Sequence, residues 1–389
     1  MLRFLSRSLC FILPLVVCVS VALAQPAQVV WQPTYAMAEQ QAKKSGLPMF
    51  ALVLAKNEKP PAVVADPKVG GRLQSFICVI VTPDSATAKK FDGIAGCAFF
   101  LDAKGESLAK LDAGFDAAKL LDKIKETAEL CQTQFMERLK NPKADAASQK
   151  AAIDGYIRLG GPVANLVPML GHKNGEVRLS IRKLVVARIN EGLDWSLFNA
   201  LASPEAEIRE ASFPVLVEAT HATKVRPVKF WKDGSEEERT TELDKWRETV
   251  FGKTPGANKA VLDFINANYG TQVKSGECAD LAGEAIAAAK AQPMKIDGKT
   301  YIWGQPLTKN DNGLAGDIVQ MEDAKFSNGN IAPHHTQVIR KVLGPGQYEV
   351  LEQNVSGRRT VGLGKLNVKL LTQGTVVIYR PIPMDGANK

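Results

Sequence analysis

The sequence has few of the residues that mark metal and redox proteins. It contains six cysteines and four histidines among 389 residues. No two cysteines have the CxxC spacing of a dithiol redox motif or a zinc ribbon. We therefore expect neither kind of site, and the sequence implies no metal and no other cofactor. Arginine-rich tracts and basic–aromatic motifs are also lacking, although the formal net charge is +8. Nucleic-acid binding is therefore not expected.

Long apolar runs are confined to the start of the chain. Arg3 and Arg7 precede an apolar run from Leu9 to Val21, which ends in small residues at Ala22 and Ala24. This order of basic, apolar and small residues predicts a signal peptide over residues 1–24, cleaved near Ala24. No later run is long enough to cross a bilayer. We therefore expect an exported protein, periplasmic or extracellular, with no stable transmembrane segment after cleavage.

The rest of the chain has the composition of an ordinary globular protein, with 45% hydrophobic and 23% charged residues. Its length allows two or three domains. The hydrophobic patterns predict a multidomain α+β protein. Its predicted parts are an α/β domain over residues 25–130, a helical region over 131–226, a linker with one helix over 227–256, an α+β domain over 257–383 and a tail over 384–389.

Residues 25–130 alternate between strand and helix patterns. The segments "LPMFALVLA" and "CAFFLDAKGESLAKL" resemble the central strand and the C-terminal hairpin of the thioredoxin fold. That fold usually carries a CxxC motif after the central strand, whereas this chain has Ala55 to Pro60 there. The resemblance therefore implies a thioredoxin-like domain with a structural or partner-binding role. A redox role would depend on Cys97 alone.

Residues 131–226 contain two helix–turn–helix patterns, from Leu166 to Arg178 and from Leu197 to Arg209. Both resemble HEAT-like repeats, which stack pairs of helices and commonly serve as interaction scaffolds. The region is therefore a candidate surface for a protein partner. Because there are only two copies, we expect a short helical spacer that packs on its neighbours.

Cys278 opens an apolar-faced segment that runs to about Ala291. Apolar side chains recur there at helical spacing, at Cys278, Leu281, Ala282, Ala285, Ile286 and Ala289. Ser275 and Gly276 are the expected N-cap residues. A thiol at a helix N-terminus lies at the positive end of the helix dipole, which favours the thiolate. The alternative is a buried structural thiol.

A base for this thiol is predicted on a β-hairpin further along the chain. A turn centred between Pro345 and Gly346 would place Gln337 opposite Asn354 and His335 opposite Ser356. His335 then shares a face with Glu352 and Asn354, because side chains alternate along a strand. A change of one residue in the turn would exchange the faces and favour His334. Adjacent histidines on a strand point to opposite faces, so the pair is not expected to bind a metal.

The segment from about Val261 to Pro381 resembles the CHAP and NlpC-type branch of the papain-like superfamily. The resemblance is carried by "GECADL", "AGDIVQ", "HHTQVI" and "LEQN". A closer resemblance is to the cysteine-proteinase-fold domain of a fungal myosin-tail-interacting protein and its bacterial relatives. Those proteins carry a similar series of Gly-Glu-Cys, Trp-Gly, Gly-Asp-Ile, His-His-Thr and Glu-Gln-Asn.

The resemblance implies a papain-like α+β domain and a role for each matching residue. Cys278 is the implied nucleophile, His335 the general base, and Glu352 or Asn354 the group that orients the base. The oxyanion would be bound by the backbone N–H of Cys278, with Gln272 as an additional donor. Two further residues have secondary roles in this interpretation: His334 as a substrate-side neighbour, and Trp303 as core or groove wall.

Two functions are compatible with this sequence. The first is an exported cysteine hydrolase that cleaves amide or peptide bonds in peptidoglycan or protein, with a peptide or cell-wall substrate. The second is a non-catalytic binding or assembly protein that keeps the three folds as recognition surfaces. Ala279 departs from the family pattern, because the relatives usually have an aromatic residue after the cysteine.

Overall fold

The computed structural model describes residues 29–223, 225–308, 311–355 and 357–384. The predicted signal peptide lies outside these residues. The chain divides into two compact units, one ending at Phe135 and the other beginning at Met136. Within the described ranges, no helix has both the length and the apolar character that a bilayer crossing requires.

The first unit contains a five-stranded sheet with the order β1-β3-β2-β4-β5. The strands are β1 (Trp31–Gln32), β2 (Met49–Val53), β3 (Ile77–Val81), β4 (Ala98–Leu101) and β5 (Ser107–Leu111). The helices are α1 (Tyr35–Ser45), α2 (Ala62–Ala65), α3 (Pro67–Leu73), α4 (Ala86–Lys90) and α5 (Ala117–Lys140). β3 lies parallel to both β1 and β2, whereas β4 runs antiparallel to β2 and β5.

The predicted strands of this unit are confirmed. Every residue of β2 and β4 is buried, as expected of central strands that are apolar throughout. The predicted hairpin joins β4 to β5 through Gly105, whose φ of 81° is a conformation that glycine adopts without strain. The thioredoxin-like assignment remains a prediction. One boundary differs, because α5 runs through the predicted division between residues 130 and 131.

The second unit begins with helices. They are α6 (Ala146–Arg158), α7 (Gly175–Ala187), α8 (Asp194–Ala200), α9 (Ala206–Thr220), α10 (Val228–Asp233) and α11 (Glu236–Phe251). Short 3₁₀ helices cover Val163–Gly171 and Ile189–Glu191. α7 begins where Asn174 Oδ1 accepts hydrogen bonds from two backbone N–H groups of its first turn. The helical character of this region is confirmed, and the HEAT-like assignment remains a prediction.

The α+β part of the unit contains α12 (Asn258–Ala267) and α13 (Cys278–Ala288). Its strands are β6 (Lys295–Asp297), β7 (Thr300–Ile302), β8 (Gln305–Pro306), β9 (Ile318–Phe326), β10 (Ile331–Gly344), β11 (Gln347–Glu352), β12 (Gly362–Asn367) and β13 (Leu371–Arg380). A short 3₁₀ helix covers Val368–Leu370. β6 pairs with β7, and the other strands form an antiparallel sheet with the order β12-β11-β10-β9-β13-β8. Both α12 and α13 pack against β10.

The helical region and this sheet are joined by a buried arginine. Arg340 on β10 is 2% exposed and donates a hydrogen bond to Asn266 Oδ1 on α12 at 2.7 Å. Its guanidinium also pairs with Glu349 on β11 and with Asp194 on α8, and donates to the carbonyl oxygen of Gly192 at 3.1 Å. The two carboxylates compensate a charge that would be costly to bury alone.

Candidate active site

The thiol of Cys278 is placed by the local structure at the start of α13. The helix begins at Cys278 as predicted, but its N-cap residue is Glu277 rather than Ser275 or Gly276. Asp280 holds the preceding turn, because its Oδ2 accepts hydrogen bonds from the backbone N–H of Ser275 at 3.1 Å and of Glu277 at 3.3 Å. Gly276 has a φ of 85°. A Cβ there would also lie 2.8 Å from that of Arg359, so this position favours glycine.

His335 lies on β10 and is hydrogen bonded to Glu352, the last residue of β11. The distance from His335 Nε2 to Glu352 Oε2 is 3.0 Å, and the side chains are 13% and 9% exposed. The predicted hairpin is confirmed, but its predicted register is wrong beyond the turn. Two one-residue shifts lie along the hairpin, and Val338 pairs with Leu351 after them. Continuing that pairing puts Glu352 opposite Gln337 and next to His335.

The carboxylate of Glu352 is fixed by two further residues. The side-chain amide of Gln337 donates a hydrogen bond to the same oxygen that faces His335. Gly364 on β12 lies beside the other oxygen, and a Cβ at that position would collide with Glu352 Oε1. Sequence reasoning missed Gly364, because only the pairing of β11 with β12 reveals the close approach. The carboxylate therefore has little freedom to turn away from the imidazole.

Cys278 and His335 interact electrostatically, and each shifts the pKa of the other. Burial by itself disfavours the thiolate. It is outweighed by the effects of His335 and Thr336, so the pKa of Cys278 lies below its ordinary value. Burial also disfavours the imidazolium, but Cys278 and Glu352 raise the pKa of His335 to about 9. Both shifts favour the charged forms of the two groups, a thiolate at Cys278 and an imidazolium at His335.

Asn354 was the alternative partner for His335, and the structure places its side chain elsewhere. It has a φ of 61°, which ends the strand conformation, and its amide donates a hydrogen bond to the carboxylate of Glu277. Glu277 also pairs with Arg359. Of the two predicted partners, Glu352 therefore bonds the imidazole, and Asn354 holds the residue that caps α13.

Gln353 contributes to the site in a way that sequence reasoning missed. The side chain is fully buried, and its amide N–H₂ donates to the carbonyl oxygens of Val273 at 3.1 Å and Glu277 at 2.6 Å. Its oxygen accepts from the backbone N–H of Val273 at 3.2 Å. Gln353 therefore ties the loop before Cys278 to the end of β11. The motif "LEQN" was the only sequence signal for Gln353. From the sequence, roles were assigned to Glu352 and Asn354 on either side of it and not to the glutamine.

Gln272 was the predicted side-chain donor for an oxyanion. Its amide donates a hydrogen bond to the carbonyl oxygen of Lys274 at 3.0 Å, and the residue is exposed. The structure therefore uses this amide to shape the turn before the helix. The backbone N–H of Cys278 lies in the first turn of α13, where helix N–H groups have no partner within the helix.

His334 and Trp303 lie in a second polar network around β9 and β10. His334 Nδ1 lies 2.7 Å from Glu322 Oε2, and the His334 ring meets the ring of Tyr301 edge-on at 4.6 Å. Trp303 is 1% exposed and donates from Nε1 to Gln320 Oε1 at 3.0 Å. Trp303 is therefore core rather than groove wall, and His334 bonds a different carboxylate from that of His335.

A groove of about 470 Å³ reaches the imidazole of His335. Its wall includes His334, Glu352 and Asn354. Four other lining residues show its mixed character: Asn328, Asn330, Phe326 and Leu366. Among the described residues that line it, Cys278 does not appear, and that residue is only 8% exposed. A ligand in the groove would therefore meet the imidazole and carboxylate first.

Comparisons with known proteins agree with the resemblance of the C-terminal part. Residues 238–389 match the family model of the AIM3/BBC1 cysteine proteinase-fold domain. Over 146 residues the chain is 27% identical to "Altered inheritance of mitochondria protein 3" of Debaryomyces hansenii; the match covers 32% of this chain and 16% of that protein.

A solved structure described as Ly7917 with the hydrolyzing product of MDP is 20% identical to this chain. It aligns with a TM-score of 0.24 and covers 32% of this chain and 62% of that one. The family match begins in α11, about twenty residues before the predicted start of the domain at residue 257. Residues 238–389 of this chain therefore carry a cysteine-proteinase-fold domain.

Proposed function

We propose that the cysteine-proteinase-fold domain hydrolyses amide or peptide bonds with Cys278 as nucleophile. The observation that supports this most directly is the series Cys278–His335–Glu352, in which His335 is hydrogen bonded to Glu352, the thiol pKa is lowered and the imidazole pKa is raised. A nucleophile, a base beside it and a group that orients the base are the three parts that such catalysis needs.

The reaction follows from the protonation states of the pair. The Cys278 thiolate attacks the carbonyl carbon of the substrate and forms a C–S bond. The carbonyl oxygen becomes an oxyanion, which the backbone N–H of Cys278 at the helix N-terminus would stabilise. As the C–N bond breaks, the proton on His335 passes to the leaving nitrogen. Water, deprotonated by His335, then attacks the thioester, releases the carboxylic acid and restores the thiolate.

The substrate class and the location are part of the proposal. The groove beside His335 offers amide side chains and apolar walls, which suit a peptide with mixed side chains. The sequence pattern of residues 1–24 favours export, so the proposed substrates are cell-wall peptides or proteins outside the cytoplasm.

The experiment measures the rate at which Cys278 is alkylated by iodoacetamide near neutral pH, with the labelled residue identified by mass spectrometry. We expect Cys278 to react faster than free cysteine, and His335→Ala to remove the difference. A parallel assay follows cleavage of a peptide library by the protein and by Cys278→Ser. If Cys278 reacts no faster than free cysteine, and its rate is unchanged in His335→Ala, the proposed hydrolase activity is wrong.

A second candidate function is supported by the burial of the thiol. Because Cys278 is 8% exposed while His335 and Glu352 line an open groove, the same surface suits non-catalytic recognition of a peptide. This candidate predicts saturable binding of library peptides that is equal in the protein and in Cys278→Ser, without cleavage. The helical region would then serve as a further contact for a protein partner.

A further inference from the structure

The buried amide of Gln353 is hydrogen bonded to two residues of the loop before Cys278. Its oxygen accepts from the N–H of Val273 at 3.2 Å, and its nitrogen donates to the carbonyl oxygens of Val273 at 3.1 Å and of Glu277 at 2.6 Å. Because a backbone N–H only donates and a carbonyl oxygen only accepts, the two contacts to Val273 fix which end of the amide is the nitrogen. Both protons of that nitrogen are therefore used, one by each carbonyl.

The contact to Glu277 sets the direction of the N–H of Cys278. The carbonyl oxygen of Glu277 and this N–H belong to the same peptide bond, which is trans and planar, so they point in opposite directions. The carbonyl oxygen also accepts from the backbone N–H of Asp280 at 3.1 Å. Because the peptide bond cannot turn without losing these two hydrogen bonds, the N–H of Cys278 is held on the side away from Gln353.

The same hydrogen bonds strengthen the N–H of Cys278 as a donor. Groups joined in a chain of hydrogen bonds polarise one another, so a donor on the carbonyl oxygen makes the N–H of that peptide bond more positive. This N–H is the first in α13 and has no partner within the helix. A donor that is held in place before the reaction stabilises an oxyanion without a further cost of reorientation.

We propose that Gln353 is a positioning residue that aims the backbone N–H of Cys278 at the oxyanion of the reaction. The inference rests on the proposed function, which makes this N–H the oxyanion donor. Gln353 is fully buried, so its amide acts through the peptide bond between Glu277 and Cys278. The preceding residue, Glu352, bonds the imidazole of His335. Two consecutive residues at the end of β11 therefore hold the oxyanion donor and the base.

The test compares two reactions of Cys278 in the full chain at the same pH. Iodoacetamide alkylates the thiolate by displacement of iodide from a saturated carbon, and no oxyanion forms. With p-nitrophenyl acetate the sulfur attacks the ester carbonyl, a C–S bond forms through an oxyanion, and the C–O bond breaks to release p-nitrophenolate. The ratio of the acylation rate to the alkylation rate therefore cancels the thiolate fraction and reports the oxyanion donor. The Cys278→Ser protein is the blank for other groups.

Two variants remove the hydrogen bond to Glu277. Gln353→Met keeps the length of the side chain without the amide, and we expect the ratio to fall by about tenfold, less than the roughly 10²- to 10³-fold that the loss of a direct oxyanion donor costs. Gln353→Glu has the same shape and keeps an oxygen for the N–H of Val273, but it replaces the donating nitrogen by a second oxygen. We expect the ratio to fall at least as far in this variant, because its added charge acts on the thiolate fraction, which cancels.

Asn258→Leu is the control for lost stability. This amide is also fully buried and donates two hydrogen bonds, to the carbonyl oxygen of Ala315 at 2.9 Å and to Asp317 Oδ1 at 2.7 Å. Its ratio should equal that of the wild type.

A ratio within about twofold of the wild type in any Gln353 variant that folds, the usual error for independent sites, would overturn the inference. An equal fall in Asn258→Leu would also overturn it. If neither Gln353 variant folds by circular dichroism, the amide serves the stability of the whole domain, and the inference is again overturned. A wild-type Cys278 that is acylated no faster than free cysteine would instead reject the proposed function.

Discussion

The two units of the protein each bury cysteine thiols. The direction of the thiol pKa shift differs between Cys131 and Cys278, because the groups beside the sulfur differ. In the first unit, burial and the charge of Asp102 raise the pKa of Cys131 to about 12. In the second unit, Cys278 is also buried, yet its pKa is lowered by His335 and Thr336. Burial alone disfavours the thiolate, whereas an imidazole and a strand N–H beside the buried sulfur of Cys278 favour it. The difference in pKa between the two thiols therefore follows from the groups beside each sulfur and not from its exposure.

The largest expected effect comes from removing the imidazole. His335→Asn keeps a polar side chain of similar size but cannot carry a proton at neutral pH. We expect hydrolysis at pH 7 to fall by about 10²- to 10⁴-fold, the usual contribution of a general acid–base group. The measurement is the initial rate of peptide cleavage. His334→Asn is the matched control, because the neighbouring histidine pairs with Glu322. Equal losses in the two variants would contradict the assignment of His335.

A smaller effect is expected from Glu352→Gln. The amide keeps the size of the side chain but loses the negative charge that helps to hold the proton on His335. We expect the pH above which hydrolysis declines to fall by about one unit, because the pKa of the imidazole falls by that amount. Glu322→Gln is the control, and its hydrolysis profile should move by less than about 0.5 unit. A hydrolysis profile in Glu352→Gln equal to that of the wild type would contradict the role assigned to Glu352.

The pH profiles of the two thiols should also separate. The imidazolium of His335 is present below a pKa of about 9 and is lost as the pH rises through that value. Hydrolysis, which needs this proton for the leaving nitrogen, should therefore decline above about pH 9, while alkylation of Cys278 continues. Cys131, with a pKa of about 12, should remain unlabelled over the same range. Labelling of both cysteines with the same midpoint pH would contradict the predicted difference in pKa between the two thiols.

The smallest effect on the site is expected from Cys131→Ala. This thiol is 4% exposed on α5, so its loss should lower the free energy of unfolding by about 1 kcal/mol. The alkylation rate of Cys278 should not change. Chemical denaturation followed by circular dichroism gives the first quantity, and mass spectrometry gives the second. A change in the reactivity of Cys278 would show that the first unit influences the site.

Much of the site could be predicted because its signals are local. The helix that begins at Cys278 follows from apolar spacing, and the hairpin that carries His335 follows from alternation around a Gly-Pro-Gly turn. The choice between Glu352 and Asn354 could not be made. It depends on two register shifts in β10 and β11 that leave no signature in residue type.

Residues that act through distant pairing were missed for the same reason. Gly364 faces Glu352 only because β12 pairs with β11, and Gln353 meets Val273 only because the loop before Cys278 lies beside the end of β11. Nothing in the sequence marks either contact. The helix N-cap was placed one or two residues early, because Ser275 binds Asp280 in the turn instead of capping the helix.

The partners of the buried Arg340 guanidinium show how far a fragment that carries this domain must extend towards the N-terminus. The family match begins at residue 238, but two groups that complete the surroundings of Arg340, the carboxylate of Asp194 and the carbonyl oxygen of Gly192, lie upstream of it. A fragment trimmed to the match would expose to water one end of a charged group on the same strand as His335, five residues away. The part of the chain that keeps every partner of Arg340 therefore extends into the helices, beyond the limits of the family match.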